Sequence, residues 1–156
     1  MTALAEGGMI PAVDLCASDG SRIDLRSYVG KPLVLYFYPK DDTPGCTREA
    51  QDFSAAYEDF RALGTAVLGV SRDTAEKHRK FAAKHDLIVP LASDDTETAL
   101  EPFGAWVEKT LYGKTYMGID RSTFLFDADG ILVRVWRKVR VPGHVDQVLD
   151  AVRTLS

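Results

Sequence analysis

Apolar residues along this chain mostly come in short groups, but from Leu33 to Tyr38 six apolar or aromatic residues run consecutively. That run is too short to span a membrane, and its β-branched and aromatic content suits a central strand buried on both faces. Pro39 ends the strand, because proline has no N–H to give the ladder. A polar loop, Lys40 to Asp42, leads to Thr43-Pro44-Gly45-Cys46, which reads as a helix start. Thr43 takes the N-cap and Pro44 the first helical position, where a missing N–H costs nothing. Phe53, Tyr57, Phe60 and Leu63 then recur at helical spacing until Gly64 stops the helix.

The same reading places the other elements. Val13 to Cys16 and Arg22 to Leu25 flank Asp19-Gly20, a hairpin signal, with Cys16 on its first arm. Met1 to Gly8 is expected to be a loose terminus. Ala66 to Val70 is a second buried strand, and strand–helix–strand implies a right-handed crossover with parallel pairing. Asp73 with Glu76 has the form of a capping box, opening a helix that turns Phe81 and Leu87 to the core. Asp94 with Glu97 repeats that signal for a short helix limited by Pro102 and Gly104. Ser122 to Asp127 and Ile131 to Lys138 form a second hairpin across Asp129-Gly130. Val145, Val148, Leu149, Val152 and Leu155 make one face of a final helix.

Composition narrows the function. A chain of 156 residues is expected to form one domain, residues 1–156, with a core large enough to need no disulfide staples. A net charge of −4 argues against nucleic acid as a partner. No apolar stretch has the length of a membrane helix, and the first ten residues carry no basic-then-apolar pattern, so neither a membrane location nor a secretory signal is expected. The two cysteines, 16 and 46, make no disulfide framework, which fits a reducing cytoplasm. His78 and His85 lack the neighbours of a metal site, and no Cys/His spacing matches zinc, so no metal or cofactor is expected.

Cys46 is the candidate nucleophile. The alternative is a small buried hydrophobe, but Cys46 sits at the carboxyl end of a central strand, where α/β sheets place their ligands. The thiolate is the nucleophile, and a free thiol of pKa about 8.5 is only about 3% ionised at neutral pH. Bringing such a thiol to about 90% thiolate takes about 3.4 kcal/mol of differential stabilisation. A helix N-terminus supplies about 0.3–1 kcal/mol, about 2 at best, and Asp41 and Asp42 next door push the wrong way. A reactive Cys46 therefore needs a cation from elsewhere in the chain; one at about 4 Å contributes up to about 4 kcal/mol at an effective dielectric near 20.

Pro39, Thr43 and Cys46, spaced P-x-x-x-T-x-x-C, resemble the active-site signature of the peroxiredoxins. The fuller run Tyr36 to Ala50 (YFYPKDDTPGCTREA) and a second run Tyr112 to Leu125 (YGKTYMGIDRSTFL) resemble the peroxiredoxin Q branch, also called bacterioferritin comigratory protein. The similarity covers nearly the whole chain. It implies an α/β, thioredoxin-like fold of peroxiredoxin type, with an N-terminal β-hairpin and a central mixed sheet flanked by helices. The order of elements read above agrees with that fold.

The resemblance also implies roles. Cys46 corresponds to the peroxidatic cysteine, whose thiolate attacks a peroxide oxygen and becomes a sulfenic acid. Thr43 corresponds to the hydroxyl donor of the site, and Arg121 to the family arginine, supplying the missing cation. Pro39 would shield the sulfur, and Glu49 would orient the arginine. Trp106 and Tyr112 are expected to line the site or pack beside it. Many relatives carry a resolving cysteine five residues after the peroxidatic one, where this chain has Gln51, or on the next helix, where it has Ala82 and Ala83. A one-cysteine thiol peroxidase of hydrogen peroxide and organic hydroperoxides follows, reduced by thioredoxin, glutaredoxin or a small thiol, as a monomer or weak homodimer. A thiol–disulfide oxidoreductase is disfavoured by the absence of C-x-x-C. A peroxide sensor or holdase using the same thiol is the alternative, distinguished by whether many equivalents of peroxide are consumed or one.

Overall fold

The computed structural model describes residues 4–96 and 98–155. Its elements in chain order are β1 (Asp14–Ala17), β2 (Arg22–Asp24), a 3-10 turn (Leu25–Tyr28), β3 (Leu33–Phe37), α1 (Pro44–Ala62), β4 (Ala66–Ser71), α2 (Ala75–His85), β5 (Leu91–Ser93), a second 3-10 turn (Glu101–Phe103), β6 (Trp106–Leu111), β7 (Lys114–Ile119), β8 (Ser122–Phe126), β9 (Leu132–Trp136) and α3 (His144–Arg153). Seven strands form one mixed sheet in the order β2-β1-β5-β4-β3-β8-β9, and β6 and β7 form a separate two-stranded ribbon.

The consecutive apolar run becomes β3, with every residue buried. It pairs parallel with β4 and antiparallel with β8. Alternation across the pleat divides its side chains between two cores. Leu33, Leu35 and Phe37 point into a cluster with Ile10, Leu15, Leu25 and Phe103. Val34, Tyr36 and Tyr38 point into a second, closed by Phe53 and Phe60 of α1, Phe81 of α2 and Val148 of α3. The strand itself ends at Phe37. Tyr38 keeps one ladder bond, from its N–H to the Val70 carbonyl (3.0 Å), before Pro39 ends the pairing.

Gly69 of β4 lies directly across from Tyr36. A Cβ there would fall 2.5 Å from Tyr36 Cζ, so only glycine lets the ring lie over the strand. Tyr36 then stacks on Phe53, ring centroids 4.3 Å apart. This is how α1 seats on the sheet, and α1 carries Cys46 in its first turn.

Several expectations need correction. The segment from Leu4 is docked rather than loose: the Leu4 N–H donates to the Pro102 carbonyl and the Gly7 N–H to the Leu132 carbonyl. Residues 1–3 lie outside the described residues. The cap of α2 is Thr74, whose Oγ1 accepts from the Lys77 N–H, not Asp73. Asp73 is occupied elsewhere, accepting from Ser71 Oγ and from the Asp41 N–H. Between Asp94 and Gly104 only the turn Glu101–Phe103 is helical, and Glu97 lies outside the described residues. The pattern reading also missed β5 and the β6–β7 ribbon. No helix among the described residues is long and apolar enough to cross a membrane.

Candidate active site

The site forms where β3 hands the chain to α1. Thr43 has the extended backbone of an N-cap (φ −99°, ψ 154°) and Pro44 begins the helix. The Thr43 hydroxyl does not cap: its proton goes back to the Lys40 carbonyl (2.9 Å), closing the loop on itself. Cys46 sits at the third helical position with 2% of its surface exposed. There the N–H groups of Gly45 and Cys46 precede the first intrahelical bond, which runs from the Thr47 N–H to the Thr43 carbonyl.

The cation beside the sulfur is Arg121. Its Nη2 donates to Cys46 Sγ at 3.3 Å and its Nη1 to Glu49 Oε1 at 2.6 Å. Sheet register explains the meeting. Phe37, the last residue of β3, pairs with Ser122, the first of β8, so residue 121 lies just past the end of β3 beside the start of α1. The Arg121 carbonyl accepts from the Val139 N–H, which anchors the backbone. Gly45 makes room for the guanidinium: a Cβ there would lie 3.1 Å from Nη2.

Glu49 is fully buried, and its second carboxylate oxygen has no hydrogen-bond partner among the described residues. Burial pushes its carboxyl up to about 7, against the pull of the Arg121 charge and hydrogen bond. Burial alone would lower Arg121, but Glu49 and Cys46 outweigh it and hold the guanidinium above its ordinary value. His144, at the start of α3, is within reach of the Arg121 charge and has Nε2 2.8 Å from Thr123 Oγ1. Burial, and then the Arg121 charge, push it down to about 4, so at neutral pH it is uncharged and Arg121 is the cation against the sulfur.

Asp41 and Asp42 do not oppose the thiolate as their sequence positions suggested. Both carboxylates turn towards α2. Asp41 accepts from Tyr38 Oη (2.5 Å) and faces His78 Nδ1 (2.6 Å), while His78 Nε2 meets the Ala92 carbonyl (2.9 Å). Asp42, at φ 62°, pairs with Lys84 Nζ (2.7 Å) and His85 Nε2 (2.8 Å), and these hydrogen bonds hold its carboxyl below the usual range. Both histidines are thus packed on carboxylates. Nothing in the local sequence pattern marked His78 as a partner of Tyr38 and Asp41, since it lies on α2, 37 residues beyond Asp41.

The remaining candidates divide. Pro39 is exposed and lines an open groove with Trp106, Met117 and Ile119. Trp106 carries the Arg72 guanidinium over its ring at 4.3 Å. Tyr112 is 96% exposed at the tip of the β6–β7 ribbon, with almost none of its side chain packed. Cys16 pairs with Ser93 of β5, which pairs with Ser71 of β4. Three strand spacings of about 4.8 Å therefore separate it from the line of β3, well beyond the reach of about 7 Å between the Cα atoms of a disulfide.

Residues 7–135 match the model of the AhpC/TSA family. The chain is 47% identical over 150 residues to peroxiredoxin Bcp of Bacillus subtilis, covering 96% of each. It is 48% identical over 139 residues to peroxiredoxin Bcp of Xanthomonas campestris, covering 89% of this chain and 87% of the relative. Among solved structures, the Xanthomonas campestris bacterioferritin comigratory protein, studied for alkyl peroxide reduction, superposes with a TM-score of 0.89 at 44% identity, covering 96% of this chain and 98% of that one. A cysteine-to-serine mutant of Xylella fastidiosa PrxQ superposes at 0.92 with 36% identity, covering 99% and 98%. Sequence and fold agree: the chain belongs to the AhpC/TSA family, among the Bcp peroxiredoxins.

Proposed function

We infer that the thiol peroxidase activity of this chain runs through Cys46 by a one-cysteine route. The observation that carries the reading is the Arg121 guanidinium, held on buried Glu49 and 3.3 Å from the sulfur. A guanidinium at that separation attracts negative charge on the sulfur. The thiolate attacks the terminal oxygen of the peroxide and the O–O bond breaks. Its electron pair leaves on the other oxygen, giving a sulfenic acid and an alkoxide or hydroxide that takes a proton from water. Arg121, between sulfur and incoming oxygen, stabilises the charge as it moves. Thr43, with its own proton on Lys40, accepts from the peroxide O–H and aligns the terminal oxygen. Pro39 and the groove beside it carry the organic part of a hydroperoxide.

Resolution comes from outside the chain. Gln51, Ala82 and Ala83 stand at the positions that relatives use, and Cys16 lies three strands from β3. An external thiol attacks the sulfenic acid, expelling water, and a second thiol releases the mixed disulfide and restores Cys46. A reducing compartment such as the cytoplasm supplies such donors, whether small thiols, thioredoxin or glutaredoxin. The test is steady-state peroxide reduction with several thiol donors, comparing wild type with Cys46→Ser. Wild type should consume many equivalents and the variant none beyond background. Consumption of a single equivalent would instead make the chain a sensor, and a variant with near wild-type turnover would end the assignment of Cys46.

A further inference from the structure

We propose that Asp41 and His78 are positioning residues for the reaction at Cys46: the buried pair fixes the turn that delivers Thr43 and the start of α1. The proposal rests on the reading of Cys46 as nucleophile. It concerns groups that touch neither sulfur nor peroxide and that no mechanistic step has used.

The turn between β3 and α1 lies outside the sheet ladder, so its backbone is held by side chains. Asp41 anchors it from three directions. Its N–H donates to Asp73 Oδ2 (2.8 Å), its Oδ1 accepts from Tyr38, and its Oδ2 meets His78. Asp42 is tied to α2 through Lys84 and His85, and the Thr43 hydroxyl to Lys40. The turn that leads to Thr43 is thus tied by side-chain bonds at successive residues, and three of them belong to Asp41, two residues before Thr43. His78 is fully buried and is itself fixed at both ring nitrogens, by Asp41 and by the Ala92 carbonyl of β5. The turn is thus referred back to the sheet by a path independent of β3.

Net stability does not explain such a pair. Taking a carboxylate and an imidazole out of water costs several kcal/mol, roughly what their attraction returns, and apolar side chains of similar volume commonly serve as well. Phe81, Val89 and Leu91 already supply an apolar contact between α2 and the sheet. What the polar network adds is direction: four hydrogen bonds of fixed geometry at a place where misplacement by about 1 Å can cost about a hundredfold in rate.

Hydrogen-bond accounting supplies a sharp test. His78 Nε2 faces a carbonyl and so carries a proton, leaving a single bridging proton needed between Nδ1 and Asp41 Oδ2. Asp41→Asn can reproduce every bond: its amide N–H donates to Nδ1 and its oxygen accepts from Tyr38. Asp41→Ala removes the anchor, and His78→Leu removes both ring bonds while keeping volume. All are made in a Cys16→Ser background. Two rates are measured on reduced protein by mass analysis, oxidation of Cys46 by hydrogen peroxide and its alkylation by iodoacetamide. The second reads the thiol without needing an aligned oxygen.

Asp41→Ala and His78→Leu should oxidise at least about tenfold more slowly, with alkylation changed by less than about threefold, and Asp41→Asn should match wild type in both. A folded Asp41→Ala or His78→Leu that oxidises at the wild-type rate overturns the proposal. So does Asp41→Asn as slow as Asp41→Ala, which would make the charge rather than the geometry decisive. Alkylation falling in step with oxidation overturns it too, since the pair would then act on the thiol. If neither disrupting variant folds by circular dichroism, Asp41→Asn still decides: a wild-type rate supports positioning and a slow one refutes it. Wild-type protein that does not oxidise at Cys46 would end the assignment of the nucleophile and this proposal with it, a result distinct from a slow variant beside a fast wild type.

Discussion

Replacing Glu49 by glutamine should change how stability responds to pH more than it changes stability at any single pH. In the folded chain the buried carboxyl is raised from 4.5 to about 7. Between those values the folded protein holds a proton that the unfolded chain has lost, so stability falls as pH rises, by about 1.4 kcal/mol per unit. The contribution is fully present below pH 4.5 and gone above about 7, a loss of about 3 kcal/mol. His144 works in the opposite sense. Its ring falls from 6.5 to about 4 on folding, so its contribution is present above pH 6.5 and is lost as pH falls towards 4. The two slopes oppose one another over much of the mildly acidic range, and wild-type protein hides both. Glu49→Gln keeps an oxygen for Arg121 Nη1 and removes one slope, leaving the other visible. Urea unfolding of both proteins from pH 4.5 to 8 measures this. The variant should gain about 3 kcal/mol relative to wild type across the range, with unchanged dependence on urea concentration. A difference that stays constant with pH would refute the argument, because the carboxyl would then titrate alike in both states.

Three further outcomes follow from the geometry. Arg121→Ala should slow sulfenic acid formation on Cys46 at least about a hundredfold, as loss of a donor to the reacting oxygens does elsewhere, measured by rapid mixing with peroxide. Gly69→Ala should destabilise by about 1–3 kcal/mol, because the new methyl meets the Tyr36 ring, and calorimetry would expose the error if the protein melted unchanged. Cys16→Ser should keep turnover with a small thiol donor, and one equivalent of peroxide should leave a trappable Cys46 sulfenic acid. A Cys16–Cys46 disulfide, within one chain or between two, would make Cys16 the resolving residue instead.

The central strand and the helix that opens at Pro44 were legible because each is a local demand: an unbroken apolar run and a proline placed where a helix can start. The ribbon Trp106–Leu111 and Lys114–Ile119 was not legible, because most of its residues are half-buried or exposed and no clean alternation survives. Its one signal was the two-residue turn Tyr112-Gly113, with both φ angles positive, where tyrosine stands in place of the usual asparagine. Asp41 shows a different limit. Adjacency to the cysteine suggested an adverse charge, but the left-handed backbone at Asp42 and the bonds from α2 turn both carboxylates away. Sequence distance says which charges are close along the chain and nothing about where they point. The cap of α2 failed by one residue for a similar reason, since Asp73 and Thr74 both suit the position and tertiary bonds to Asp73 decide between them.

The pairing of Phe37 with Ser122 makes reactivity a property of finished topology. Cys46 and Arg121 are separated by 75 positions in sequence, and closing a loop of that length costs about 4 kcal/mol of chain entropy before the contact returns anything. A slip of one residue between β3 and β8 would carry the arginine about 3.3 Å along the strand and turn it to the other face of the sheet. In a chain still emerging from the ribosome, or one caught in a wrong register, Arg121 is not against the sulfur. If the proposed role of the arginine holds, the rate at which Cys46 is oxidised should report on whether β8 has docked in register.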